Sequence, residues 1–403
     1  MQKIVWSLVL LSFVMLNALH TLAASFPHGQ PMQTHNDDYK VQQVSIVSTA
    51  GGFKLRGSLL LPVGKGPFPA VLLLPDMGAE DPAYDGLLLS TLADSLARQG
   101  VVTLCLAERG TGNSEGNAAQ TLLTDRLADV AAALNKLRTQ PQVDIARIGI
   151  IGHGRGGNVA LLAGAQPLPP SFIVAIAASG ISSQELLADQ VPMYGKVFNA
   201  DYDKLAYQHQ QTLGQLQMRQ VAFQMQTQGV SPAQVQAYTN QQTTKLQEAD
   251  HKWGIALQKH QLSMLEIVVN TPDNDQAQAV LTNMLRQHYP DATPEEIQRS
   301  AQRMTSAAYR DYLTLNPITT LSQVKCPVLL VQGTADTEVN PLTNLDALLK
   351  GLSGNLKVTD RRLKELDHQL RYAIGTKNVQ DKNQAPAAPV VYHEIIRWVQ
   401  RMR

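Results

Sequence analysis

Four glycines fall within six residues in Gly152-His153-Gly154-Arg155-Gly156-Gly157, directly behind the apolar Ile148-Gly149-Ile150-Ile151. A strand that turns sharply into a helix at such a point exposes backbone N–H groups and one central side chain above a sheet, and two chemistries use that geometry. As G-x-G-x-x-G, Gly152, Gly154 and Gly157 would let a pyrophosphate approach the helix N-terminus. A dinucleotide fold usually opens with this motif and carries an acidic residue about 20 positions later, at the end of the next strand. Here several strands come first, and the next strand ends in Ala177-Ala178-Ser179-Gly180, so the nicotinamide reading is set aside and no cofactor is expected. As G-x-S-x-G, the segment is a nucleophile elbow with Gly152 and Gly156 at its flanks and Gly154 at its centre.

Two further motifs accompany the elbow. Gly64-Lys65-Gly66-Pro67-Phe68-Pro69-Ala70-Val71 leads into a nearly all-apolar strand, and Glu108-Arg109-Gly110-Thr111-Gly112-Asn113-Ser114-Glu115-Gly116 forms a glycine-rich loop. With these segments the chain resembles the secreted bacterial esterases of the α/β-hydrolase superfamily, related to the serine-aminopeptidase-like hydrolases. That family's elbow reads G-H-S-E-G-G and its loop D-R-G-x-G-x-S-x-G. The resemblance covers the core outside the N-terminal segment and a helical insertion. It implies a mostly parallel, doubly wound sheet with an inserted helical cap, and a triad in the order nucleophile, acid, base. Asp336, in Gly333-Thr334-Ala335-Asp336, matches the acid, and His368, in Leu366-Asp367-His368, the base. The backbone N–H groups of Met77 and Arg155 match the oxyanion donors.

The chain departs from the family at the position that carries the chemistry. Gly154 offers no oxygen for His368 to deprotonate, and loss of the serine in a well-studied triad costs about 10⁶-fold in turnover. Leu74-Pro75-Asp76-Met77-Gly78 stands where the family has small residues and glycines, so that Asp76 brings a negative charge to where an oxyanion would develop. Ser114, Ser179, Ser182 and Ser183 are other hydroxyls on this side of the fold; Ser114 matches a structural serine of the family's loop.

The elements that must position these residues follow a β/α alternation. Residues 44–48 and 54–61 flank Gly51-Gly52 as a hairpin. Strands are expected at 70–74, 101–106, 148–151, 172–178, 328–332 and 356–359, and helices at 87–99, 123–137, 341–350 and 390–401. From 184 to 316 the composition changes, with 21 glutamines between Asp201 and Gln302 and no convincing strand. Ser231-Pro232, Thr271-Pro272 and Thr293-Pro294 each read as a capping hydroxyl before a first-turn proline, and Gln234 and Glu296 complete two capping boxes. Leu246, Trp253 and Leu257 share one helical face. The expected organisation is a signal peptide at 1–24, a hydrolase core at 25–183 and 317–403, and a Gln-rich helical cap at 184–316.

The 403 residues carry 34 Lys+Arg against 33 Asp+Glu, a balance that gives no electrostatic footprint for nucleic acid. The basic start, the apolar run of residues 4–19 and Thr21-Leu22-Ala23-Ala24-Ser25 read as a cleavable secretory signal, too short for the roughly 20 residues of a stable membrane span. A periplasmic or secreted protein is expected. Cys105 and Cys326 are expected to stay reduced, and no metal site is indicated. Three functions remain open: binding of a small ester, acyl or peptide-like ligand without covalent catalysis; weak hydrolysis by a water that His368 activates; or an interaction role for the cap.

Overall fold

The computed structural model describes residues 38–76, 83–194, 200–290, 292–372 and 386–402. The expected signal at 1–24 and Met77 lie outside the described residues, as do the side chains of Trp253 and Leu257. Among the described residues no helix is long and apolar enough to cross a membrane.

The strands are β1 (Tyr39–Val47), β2 (Lys54–Pro62), β3 (Phe68–Leu74), β4 (Val102–Leu106), β5 (Val143–His153), β6 (Phe172–Ile176), β7 (Val328–Gly333) and β8 (Val358–Leu363). They form one sheet in the order β1-β2-β4-β3-β5-β6-β7-β8. β1 and β2 pair antiparallel, as does β2 with β4, and every later pair is parallel. This is the α/β-hydrolase fold, and the crossover that brings β3 between β4 and β5 places the ends of β3 and β5 side by side.

The central strands are apolar on both faces because helices cover both, as parallel sheets require. Leu72, Ile148, Ile150 and Leu330 point into one buried cluster with α2 (Leu123–Arg138), α3 (Arg155–Ala163) and α11 (Pro341–Gly351). Val71, Leu73, Ile151 and Val331 alternate to the opposite face and meet α1 (Ala83–Arg98) and α12 (Pro389–Arg401). Cys326 packs on the first face and Cys105 on the second. Both thiols are free, and burial pushes Cys105 up to about 12 and Cys326 up to about 11.

Between β6 and β7 run α4 (Ser183–Tyr194), α5 (Ala200–Thr227), α6 (Pro232–Asn270), α7 (Asn274–His288), α8 (Pro294–Met304), α9 (Ala307–Leu313) and α10 (Ile318–Leu321). They have their own buried cluster, in which Leu187 meets Met264, Val268, Leu281, Leu285, Ile297 and Met304. Ser231 and Thr293 cap α6 and α8 in full capping boxes with Gln234 and Glu296. The Thr271-Pro272 expectation is corrected: Thr271 closes α6, and Asp273 caps α7 by accepting from the Gln276 N–H. The helix begins at Asn274, so Asp273 and not Thr271 stands at the position whose side chain reaches that N–H. The last strand is likewise displaced from 356–359 to Val358–Leu363, because Leu356, at 98% exposure, belongs to the preceding turn.

Candidate functional site

β5 ends at His153 and α3 begins at Arg155, so the turn between them is Gly154 alone, at φ +51° and ψ −119°. Glycine takes this backbone freely, while any other residue is strained there. The Gly154 N–H donates to the Ile176 carbonyl at 2.8 Å, anchoring the turn to the end of β6. The flanking Gly156 is fixed by crowding: a Cβ would press against the Leu74 and Pro75 carbonyl oxygens at the end of β3.

That close approach brings Asp76, two residues beyond β3, over the turn. A Cβ on residue 154 would lie 2.5 Å from both Asp76 Cγ and Oδ1. The Asp76 carboxylate therefore occupies the space a side chain at the elbow would need. Its Oδ1 accepts from the Arg155 N–H at 2.9 Å, and its Oδ2 lies 3.6 Å from His368 Nε2. Of the two backbone donors expected of an oxyanion hole, Arg155 is in place but already engaged, and Met77 falls outside the described residues.

Asp336 and His368 meet as the chain order implied, with Nδ1 of His368 donating to Asp336 Oδ2 at 2.9 Å. Asp336 lies just past β7, and its remaining acceptor capacity is filled. Gln332 Nε2 donates to Oδ2 at 2.7 Å, and the N–H groups of Glu338 and Val339 donate to Oδ1 at 2.8 and 2.9 Å. From the other side, His153 Nε2–H donates to the His368 carbonyl at 2.9 Å, and the two imidazole rings lie 4.8 Å apart. Glu338 adds a carboxylate 3.8 Å from His368 Nε2.

Burial alone would lower the His368 pKa, but Asp336, Glu338 and Asp76 outweigh it and raise the group well above its ordinary value. Burial likewise opposes the Asp76 charge, yet His368, His153 and Arg155 hold that carboxyl well below the usual range. The carboxylates around His368 thus favour its protonated form. The Arg155 guanidinium lies 4.0 Å over the Tyr312 ring of α9 and forms no ion pair among the described residues. The Tyr309 hydroxyl of the same helix is buried without a hydrogen-bond partner among them.

Three of the other hydroxyls are committed elsewhere. Ser114 Oγ donates to the Ala107 carbonyl and accepts from the Arg56 N–H. Ser179 Oγ bonds Asn344 and the Ile181 carbonyl, and Ser182 pairs with Glu185 at the start of α4. Sequence reasoning missed Gln332, Glu338, His153 and the position of the Asp76 carboxylate. His153 had a visible signal in its place beside the elbow, whereas Gln332 and Glu338 have none beyond proximity to Asp336. Among the described residues no group of His, Cys, Asp and Glu side chains is arranged to hold a metal ion.

The family model described as X-Pro dipeptidyl-peptidase (S15 family) matches residues 51–354. No curated protein matches the sequence. Among solved structures, a Pyrococcus furiosus esterase is similar at 13% identity and TM-score 0.48, over 90% of this chain and 91% of that one. An alpha/beta hydrolase from Penicillium sp. sh18 is similar at 15% identity and TM-score 0.49, over 90% of this chain and 99% of that one. A hypothetical protein from Pseudomonas aeruginosa gives 15% and 0.49, over 93% and 99%.

Proposed function

The chain belongs to the X-Pro dipeptidyl-peptidase (S15) family, and from that premise we propose that it is an exported member that binds a small ester, acyl or peptide-like ligand without a seryl intermediate. One observation carries this: the Asp76 carboxylate lies where an elbow side chain would project and takes up the Arg155 N–H. An incoming carbonyl oxygen thus finds that donor engaged and a negative charge in its way, the reverse of what acyl transfer needs. Asp76 and Glu338 beside His368 favour a ligand with a free ammonium group over one with a carboxylate. Within the family, an X-Pro dipeptide amide, with its ammonium free and no carboxylate, fits that preference.

Hydrolysis by a water that His368 activates is the weaker reading. The three carboxylates around His368 favour its protonated form, and general-base action needs the neutral one. A role for the cap in binding another protein has no observation of its own.

Thermal unfolding with Ala-Pro amide, acetate and acetamide tests the proposal, alongside turnover of p-nitrophenyl acetate and Ala-Pro p-nitroanilide. Ala-Pro amide should raise the Tm, by an amount equivalent to about 2.7 kcal/mol at 100 times its Kd. Acetate should not, and neither chromogenic substrate should be cleaved faster than by His368→Ala. Cleavage by the parent chain that His368→Ala abolishes would overturn it.

A further inference from the structure

We propose that a cavity behind the elbow is a second binding site, and that it takes a small neutral molecule with a short alkyl body and one carbonyl or hydroxyl oxygen. The inference does not depend on which ligand sits at His368. The cavity lies where β4, β3 and β5 end side by side, a place at which open α/β sheets commonly receive ligands. It offers about 50 Å³ to the centres of water-sized groups, several times the roughly 10–15 Å³ that one water needs. Its walls come from the sheet, from α2 and α3 and from the loops at the strand ends, and none of its lining residues belongs to the cap.

Leu72, Leu106, Val130 and Val159 make most of the wall apolar. Toward the elbow the cavity is closed by backbone: Gly156 approaches the Leu74 and Pro75 carbonyl oxygens so closely that a Cβ has no room, and both Pro75 and Gly156 line the cavity. This wall separates it from the space beside His368. The opposite part of the wall is polar. Arg126 and Glu108 meet there, Nη1 to Oε1 at 2.8 Å, and the Arg126 side chain is only 14% exposed. Among the described residues that ion pair is the one bond its guanidinium makes, which leaves most of five N–H groups without an acceptor. Both oxygens of the nearby Asp129 are taken by Arg109, each at 2.8 Å.

These features select the occupant. The apolar wall suits a hydrocarbon body, which gains by leaving water. The spare N–H groups of Arg126 suit an oxygen acceptor, because a largely buried donor without one is costly and a hydrogen bond from a charged donor is among the stronger kinds. A carboxylate would meet Glu108 beside Arg126 and Asp129 on the same wall, and an ammonium would meet Arg126 itself. A neutral carbonyl or hydroxyl avoids both conflicts.

The test uses the full chain with 2-butanone, butyrate and butylammonium. In protein with ¹³C-labelled methyl groups, nuclear Overhauser contacts should run from 2-butanone to the Leu72, Val130 and Val159 methyls, a reading that needs no variant to fold. Ala133→Leu fills the cavity from α2, where Ala133 is fully buried in its wall, and should abolish saturation transfer to 2-butanone. Arg126→Met with Glu108→Gln removes the ion pair without stranding either charge and should weaken 2-butanone binding by about tenfold or more. Neither charged probe should compete. Absence of those contacts in the parent sinks the proposal, as does saturation transfer unchanged in folded Ala133→Leu. Equal binding by the double variant, or displacement by butyrate or butylammonium, overturns the assigned ligand class. If Ala-Pro amide raises the Tm of a parent chain that shows no such contacts, the reading at His368 stands and only the second site is lost.

Discussion

On one flank of the site Asp336 accepts four hydrogen bonds and His368 is tied through Nδ1 and its carbonyl, from β7 on one side and β5 on the other. On the other flank the strand–helix turn has no side chain, and a carboxylate from the end of β3 stands over it. The first flank is over-determined, since each group is held by several others and loss of any one leaves buried polar atoms unpaired. The second is held through the Asp76 side chain, on the Arg155 N–H and beside His368, and through the Gly154 N–H on the Ile176 carbonyl. A hydrolase fold can keep the machinery that orients an imidazole while the group that imidazole serves is exchanged, because the two depend on different strand ends.

The most forceful way to break this contrast is to rebuild the second flank. Gly154→Ser with Asp76→Gly should raise p-nitrophenyl acetate hydrolysis by about 10³-fold or more, part of the about 10⁶-fold that loss of a serine costs elsewhere. Gly154→Ser alone should stay near the parent, since its Cβ would fall 2.5 Å from Asp76 Cγ. Adding His368→Ala to the double variant should erase the gain. A folded double variant that takes no phosphonate label would show that the first flank is not the ready-made half of a triad.

Asp336→Ala comes next. It strands one hydrogen of the Gln332 amide, two backbone N–H groups and the His368 Nδ1–H, and should cost about 3–5 kcal/mol in urea unfolding. Asp76→Ala should cost clearly less; equal losses would erase the distinction between the flanks. His153→Phe keeps the ring but removes the donor to the His368 carbonyl, and about 1–3 kcal/mol should follow. A loss confined to the packing difference, with the His368 imidazole resonances unmoved, would mean that His153 does not position His368.

The gentlest probe is pH. His368 has a raised pKa, so its contribution to stability is complete below its unfolded value near 6.5 and drains away as pH rises through the folded value. Asp76 has a depressed pKa, so its contribution is present above its unfolded value near 3.8 and is lost as pH falls below that. The alkaline limb attributable to His368 should be no steeper than about 1.4 kcal/mol per pH unit. Asp76→Asn should move that limb to lower pH, and a limb that does not move would show that the flanks are electrically independent.

Much of the framework was legible in the chain itself. Alternating apolar strands and helices implied the doubly wound sheet, because period is a local property, and the resemblance carried by the elbow and its two companion motifs implied the superfamily. Asp336 and His368 were legible through chain order and meet in space. The sequence also placed Asp76 near the oxyanion position, but only as a charge opposed to catalysis. Its carboxylate filling the space above Gly154 depends on how closely the end of β3 packs on Gly156, a distance that no local pattern encodes. Thr271 went astray for a simpler reason: two capping residues flank Pro272, and which of them caps depends on where the preceding helix stops.

The crowding above Gly154 also bears on how such a site can arise. A serine at position 154 and an aspartate at position 76 exclude one another, so a lineage that began with the hydroxyl must lose it before, or together with, the gain of the carboxylate. The intermediate has neither group. Among relatives of this chain the two positions should therefore change as a pair, serine with a small residue or glycine with an acidic one. A search keyed to the serine alone would pass over every member on the far side of that step.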